Sequence, residues 1–195
     1  MEAAVADPLQ NISGRASQGL SGIAEDYGMR KQNGFSLIEL LIVVAIILVI
    51  AAIAIPNFLR SRMMANEASA VSSLRNINTA QVSYASTYPT QGFASDLNTL
   101  GPGSSGGSGP SSSTNALLLD VVLGCPAGVG TASCTKSGYL FSIVAGAGPT
   151  VNTYVSFANP TALGQTGNRY FRSDNSGLIR YNSTAIATSN DQPLQ

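Results

Sequence analysis

Phe35–Ile55 reads FSLIELLIVVAIILVIAAIAI, 21 residues that carry one charge, Glu39. A helix of that length spans roughly 30 Å at about 1.5 Å per residue, the thickness of a bilayer's hydrocarbon core. No soluble strand is this long. Arg30 and Lys31 precede the run, which by the positive-inside rule puts the N-terminus in the cytoplasm, while Arg60 and Arg62 beyond it act against that orientation. A plain membrane anchor accounts for the run. So does a secretory signal peptide cut at the small-x-small triplet Ala52-Ile53-Ala54. Neither accounts for Glu39. A charge deep in a bilayer costs about 2.5–3.5 kcal/mol on insertion scales, and an ordinary anchor gains nothing from it. An intramembrane carboxylate needs a partner.

Composition narrows the function classes. The 195 residues allow one ordinary domain plus an appendage, only 10% are charged, and the formal net charge is zero. No basic stripe indicates a nucleic-acid partner. Histidine is absent, which removes the usual general base and the commonest metal ligand. Two cysteines alone cannot complete a tetrahedral zinc site. Serine is plentiful, but nothing sets Lys136 beside an activated serine. No catalytic set, no cofactor and no metal site is expected. This disfavours the reading of an enzyme released after Ala54.

Around the apolar run, Gly34, Phe35, SLI, Glu39, LLIVVAIILVIAAIAI and Pro56 follow one another without a gap. This segment resembles the type IV pilin and type II secretion pseudopilin superfamily. The resemblance continues more loosely through NFLRSRMMANEASAVSSLRNINTAQ and fades beyond about Tyr88. It implies that a membrane-embedded prepilin peptidase cuts after Gly34 and methylates the new amino terminus, Phe35. It also implies that Glu39 pairs with the N-terminal amine of a neighbouring subunit during assembly. The physical chemistry agrees with that role: an α-amine with a reference pKa of about 7.7–8.0 is a cation near neutrality and a natural counter-ion for a carboxylate. Either charge alone is costly among apolar helices, and together they largely cancel. Such a pair sets register more than it adds stability, as a buried polar residue does in a coiled coil.

The resemblance therefore makes residues 1–34 a leader that is removed. Met29 opens MRKQNG, itself a good short leader, so translation is expected to start there; the other reading is a genuinely long leader. Residues 35–56 become the transmembrane and assembly helix, with Pro56 expected to kink or loosen it. Residues 57–88 continue it as an amphipathic half. Val71, Leu74 and Ile77 recur at steps of three and Tyr84 and Tyr88 extend that face. Arg60, Arg62, Asn66, Glu67, Arg75, Asn76 and Asn78 supply polar positions, and Pro89 ends the helix.

Residues 89–195 are expected to form an extracytoplasmic head. GPGSSGGSGPSSSTN at 101–115 reads as a flexible loop, a spacer rather than a display surface. Candidate strands follow at Ala116–Leu123, Tyr139–Val144, Val151–Phe157, Arg169–Arg172 and Leu178–Tyr181. Val151, Thr153, Val155 and Phe157 share one face of the third, and SDNSG makes the last two a hairpin. A short antiparallel sheet of three to five strands would pack its apolar face on the helix. The expected fold is thus α+β, a long N-terminal helix carrying a small sheet. The oxygens of Asp174–Gly177 read as a turn rather than a calcium site, since few acids are available. If the head is extracytoplasmic, Cys125 and Cys134 are expected to form a disulfide, stabilising by roughly 2–3 kcal/mol; two free thiols are the alternative.

The function implied is a structural subunit of a type IV pilus, polymerising with copies of itself. Its expected partners are the prepilin peptidase, a pilus assembly platform with its cytoplasmic ATPase, and membrane lipid before assembly. It would sit in the bacterial inner membrane with its N-terminus inside, and afterwards in a filament. The major pseudopilin of a type II secretion system, and a monomeric membrane-anchored binding domain with an uncleaved helix, are the alternatives.

Overall fold

The computed structural model describes residues 34–103, 109–125 and 133–194. The expected leader, with Met29, Arg30 and Lys31, lies outside the described residues except for Gly34, as do residues 104–108 of the glycine- and serine-rich loop. The chain divides into two units, Met1–Ile46 and Ile47–Gln195. Helix α1 (Leu37–Thr87) is followed by a short helix α2 (Leu97–Leu100) and then by strands β1 (Ser133–Lys136), β2 (Tyr139–Ala145), β3 (Tyr154–Pro160), β4 (Tyr170–Asp174) and β5 (Ile179–Asn182). The fold is α+β, as expected.

No glycine and one proline fall between Phe35 and Thr87. Valine and isoleucine in the first half are middling helix formers in water. In hydrocarbon every backbone group must bond within its own segment, so the same residues adopt helix. The helix stops at Thr87 because Tyr88 precedes Pro89, and a residue before proline disfavours the α region. From Glu67 onward one stripe is buried: Glu67, Ala70, Leu74, Ile77, Gln81 and Tyr84, at steps of three and four. Two of those six positions are polar, which the apolar spacing alone does not reveal.

The five strands form an antiparallel meander in the order β1-β2-β3-β4-β5. β1 and β2 are joined by Ser137 and Gly138, whose φ angles of 50° and 71° match the type I′ turn that suits a two-residue hairpin. Tyr139, Phe141 and Ile143 of β2, Tyr154, Ser156 and Ala158 of β3, Phe171 and Ser173 of β4 and Ile179 of β5 point inward, and their apolar members join Leu74, Ile77 and Tyr84 in one core. Each fully buried large apolar side chain contributes roughly 1.5–3 kcal/mol. β5 would be an open edge, but the C-terminal tail covers it. Tyr181 N–H donates to the Gln192 carbonyl at 3.1 Å and Leu194 N–H to the Ile179 carbonyl at 2.8 Å, with Pro193 bridging opposite Arg180.

Three expectations need correction. The alternation in the third candidate strand has the right period but the wrong buried face: Tyr154, Ser156 and Ala158 are buried, while Val155 and Phe157 lie on the half-exposed side. Small Ser156 and Ala158 allow close packing where larger residues would collide. Ala116–Leu123 forms no strand. Its N–H groups bond instead to the carbonyls of Thr99, Gly101 and Leu100, wrapping the segment over α2. The ends of the 101–115 loop are packed rather than loose. Gly101–Gly103 and Asn115 are buried, and a Cβ on Gly101 would lie 2.5 Å from the Gly124 Cα, so both positions need glycine.

Candidate functional site

The N-terminal segment is the first candidate. Gly34 is exposed with open space around it, and Phe35 is 74% exposed. The first helical bond runs from Leu40 N–H to the Ser36 carbonyl at 3.1 Å, which makes Ser36 the N-cap residue and puts Glu39 in the first turn. Ser36 and Glu39 have the spacing of a capping box, in which each side chain would bond the other's backbone N–H. Neither bond forms, and Glu39 has no partner among the described residues. The helix N-terminus favours an acid there, but a satisfied cap does not explain it. The side chains from Leu37 to Ile50 are all exposed, and α1 contains an 18-residue window with the hydropathy of a membrane span. The helix continues through Pro56 without a break.

The second constellation lies in the head and was missed in the sequence. Glu67, read as one more polar helix position, is only 6% exposed. Its Oε2 accepts from Arg169 Nε and Nη2, both at 2.7 Å, and its Oε1 accepts from Asn168 N–H at 2.8 Å. Arg169 in turn lies over the Phe171 and Tyr181 rings, 5.4 and 5.2 Å from their centroids. The Tyr139 hydroxyl donates to the Arg169 carbonyl at 2.9 Å, and its ionisation is pushed well up, by burial first and then by the Glu67 carboxylate. The arrangement fastens α1 to the entry of β4. Asn78 does the same further along: its Nδ2 donates to Ser173 Oγ at 2.8 Å and its Oδ1 accepts from Tyr154 at 3.1 Å. Gln81, fully buried, exchanges two bonds with Ala94, taking its N–H at 2.8 Å and giving to its carbonyl at 3.1 Å. These are structural contacts, and one signal pointed to them: polar residues falling on the stripe defined by Leu74 and Ile77.

Cys125 and Cys134 are joined as a disulfide, tying the segment that covers α2 to the edge strand β1. Asp174 is engaged locally: Oδ1 accepts from the Ser176 N–H at 3.0 Å and hydroxyl at 2.5 Å, and Oδ2 from Arg172 at 2.9 Å. Burial acts to raise this carboxyl, but Ser176 and Arg172 together outweigh it and hold it below its usual value. That is a turn, not an open cation cradle. Among the described residues no group of three His, Cys, Asp or Glu is placed to hold a metal ion.

Residues 29–55 match the family of the prokaryotic N-terminal methylation motif. The chain is 48% identical over 54 residues to the type IV major pilin protein PilA of Myxococcus xanthus, covering 28% of this chain and 24% of that protein. It is 59% identical over 39 residues to the type IV wide pilus major component PilA4 of Thermus thermophilus, covering 20% of this chain and 30% of that one. The chain thus spans under a third of the length of these curated relatives. No solved structure matches it. Over its N-terminal part, with Gly34, Phe35 and Glu39 inside the matched motif, the chain is thus similar to type IV pilins.

Proposed function

We propose that this chain is a structural subunit of a type IV pilus, assembled through α1 from the inner membrane. The observation that carries the reading is the state of Glu39: a carboxylate in the first turn of an exposed apolar helix, at the spacing of a capping box it does not form, inside the segment that matches the N-terminal methylation motif. Cleavage after Gly34 by a prepilin peptidase creates an ammonium at Phe35, which is then N-methylated. That ammonium and the Glu39 of an adjacent copy neutralise one another as the helices leave lipid for a bundle. Because lipid is already apolar, the gain in the bundle is packing and charge pairing rather than exclusion of water. Extraction from the bilayer is driven from outside the subunit, by an assembly platform and its cytoplasmic ATPase. Pro56, in a helix that runs on unbroken, is a point where the helix can loosen on assembly.

The test is N-terminal sequencing of the mature protein together with electron microscopy of sheared surface material. The expected results are an N-methylated Phe35 and fibres made of this chain. Glu39→Ala is expected to abolish fibres while leaving cleavage intact. A mature chain beginning at any other residue, or normal fibre yield with Glu39→Ala, overturns the reading. A secretion defect without fibres assigns the chain instead to a pseudopilus.

A further inference from the structure

We infer that a cleft beside the end of the apolar run holds the phosphate headgroup of an anionic phospholipid while the subunit is in the membrane. The inference rests on the membrane-inserted reading above. It begins with charge. Lys136, Arg169 and Arg172 are paired with Asp120, Glu67 and Asp174, and Arg180 donates to the Asp191 carbonyl. Arg60 and Arg62 are exposed and have no partner among the described residues. The acids of the head offer them little: Glu67 is buried in its pair, Asp120 and Asp174 are paired, and Asp96 and Asp191 cap backbone N–H groups. An anion from outside the protein is the natural complement.

Depth identifies that anion. The apolar run ends at Ile55, and at about 1.5 Å per residue Arg60 and Arg62 lie roughly 8–10 Å further along the helix. The headgroup layer occupies about 5–8 Å beyond the hydrocarbon core, and a tilted helix with flexible arginine stems brings both guanidinium groups into it. Phe58, Leu59 and Met64, all exposed, are the apolar neighbours suited to the boundary.

A cleft of about 530 Å³ opens at this level, between α1 and the loops that follow β1 and β3. Along α1 its wall alternates: Leu59 and Met63 are apolar, and Arg62 and Asn66 are polar. Asn66 Nδ2 is committed to the Thr166 carbonyl at 2.9 Å and holds the wall in place. The Arg62 guanidinium and the Gln165 amide are uncommitted, and both line the cleft. Gly138 lets the β1–β2 turn approach Thr166 closely, since a Cβ there would lie 2.8 Å from Thr166 Cβ. A planar guanidinium binds a phosphate with two parallel bonds, and Leu59, about one turn nearer the apolar run than Arg62, suits the glycerol backbone.

The test uses the processed full-length chain. Native mass spectrometry from mixed-lipid micelles is expected to retain phosphatidylglycerol over phosphatidylcholine. Arg62→Gln should lower that retention about fivefold, the effect of one arginine at an anionic surface. Arg75→Gln, an exposed and unpartnered arginine of the same helix outside the cleft, should leave it unchanged. Equal retention of the two lipids, or no effect of Arg62→Gln in a variant with parental near-ultraviolet circular dichroism, overturns the inference. So does loss of fibres in Arg62→Gln with lipid retention intact, which would give the cleft to a second copy. Vesicle flotation separates the two levels: a chain that floats with both lipids but prefers neither defeats the headgroup site alone, whereas one that floats with neither defeats the membrane-inserted reading itself.

Discussion

Replacing Glu67 should destabilise the packing of α1 on the sheet. Glu67→Ala removes the partner of Arg169 and leaves the Asn168 N–H without an acceptor. Removing one member of a buried ion pair costs about 3–5 kcal/mol. The Arg169 side chain is 36% exposed and stays stacked on Phe171 and Tyr181, so water and those rings recover part of that loss. The orphaned N–H adds about 1–3 kcal/mol. A net loss of about 2–4 kcal/mol follows, or roughly 5–15 °C in Tm for a chain of this size. Glu67→Gln keeps an acceptor for Asn168 and should lose about half as much. The chain has no tryptophan and seven tyrosines. Five of them, Tyr84, Tyr88, Tyr139, Tyr154 and Tyr181, lie in or against the core, so near-ultraviolet circular dichroism of the detergent-solubilised chain reports this region. A double-mutant cycle with Arg169→Gln isolates the pair. Unfolding of Glu67→Ala within about 0.5 kcal/mol of the parent, the range of ordinary surface substitutions, would refute the reasoning.

Three further outcomes are expected. Gln81→Leu preserves bulk but strips both partners from the buried Ala94 backbone, and should cost about 2–4 kcal/mol by denaturant titration. Opening the disulfide with Cys125→Ser and Cys134→Ser together should cost roughly 2–3 kcal/mol, and the parent should gain two hydrogens in mass on reduction. In acid, the Asp174 carboxyl is held below its ordinary unfolded value, so its contribution is complete above that value and disappears as pH falls through the lower folded value. Asp174→Asn should flatten the acid-side decline of Tm, and an unchanged slope would remove Asp174 from the account.

The helix was legible because its determinants are local. An unbroken apolar run, a single proline and a stripe at steps of three and four can be counted without knowing the rest of the chain. The strands around Tyr139, Tyr170 and Ile179 were legible for the same reason, through alternation and the Asp174–Gly177 turn. What failed depended on partners. Whether Val155 or Tyr154 faces inward is decided by which side the helix covers, and the strand's own alternation is silent on that. β1 is four residues long with one buried apolar side chain, Cys134, too little for a periodic pattern. Ala116–Leu123 has the composition of a strand but finds its hydrogen bonds on the carbonyls around α2. Glu67 and Gln81 break the rule that core positions are apolar, and only residues 101 and 13 positions away explain them. At the N-terminus, the order Gly34, Phe35, Glu39 was plain, while the unformed cap around Ser36 depends on side-chain placement that spacing does not fix.

The tail that lies along β5 bears on crowding. Polymerising helices would draw many heads together at very high local concentration, and an unpaired strand rim invites neighbouring chains to add themselves as further strands. Here the Gln192–Leu194 backbone already occupies that rim, and Pro193 has no N–H to offer an incoming strand. Disorderly stacking through the sheets is closed off on this flank.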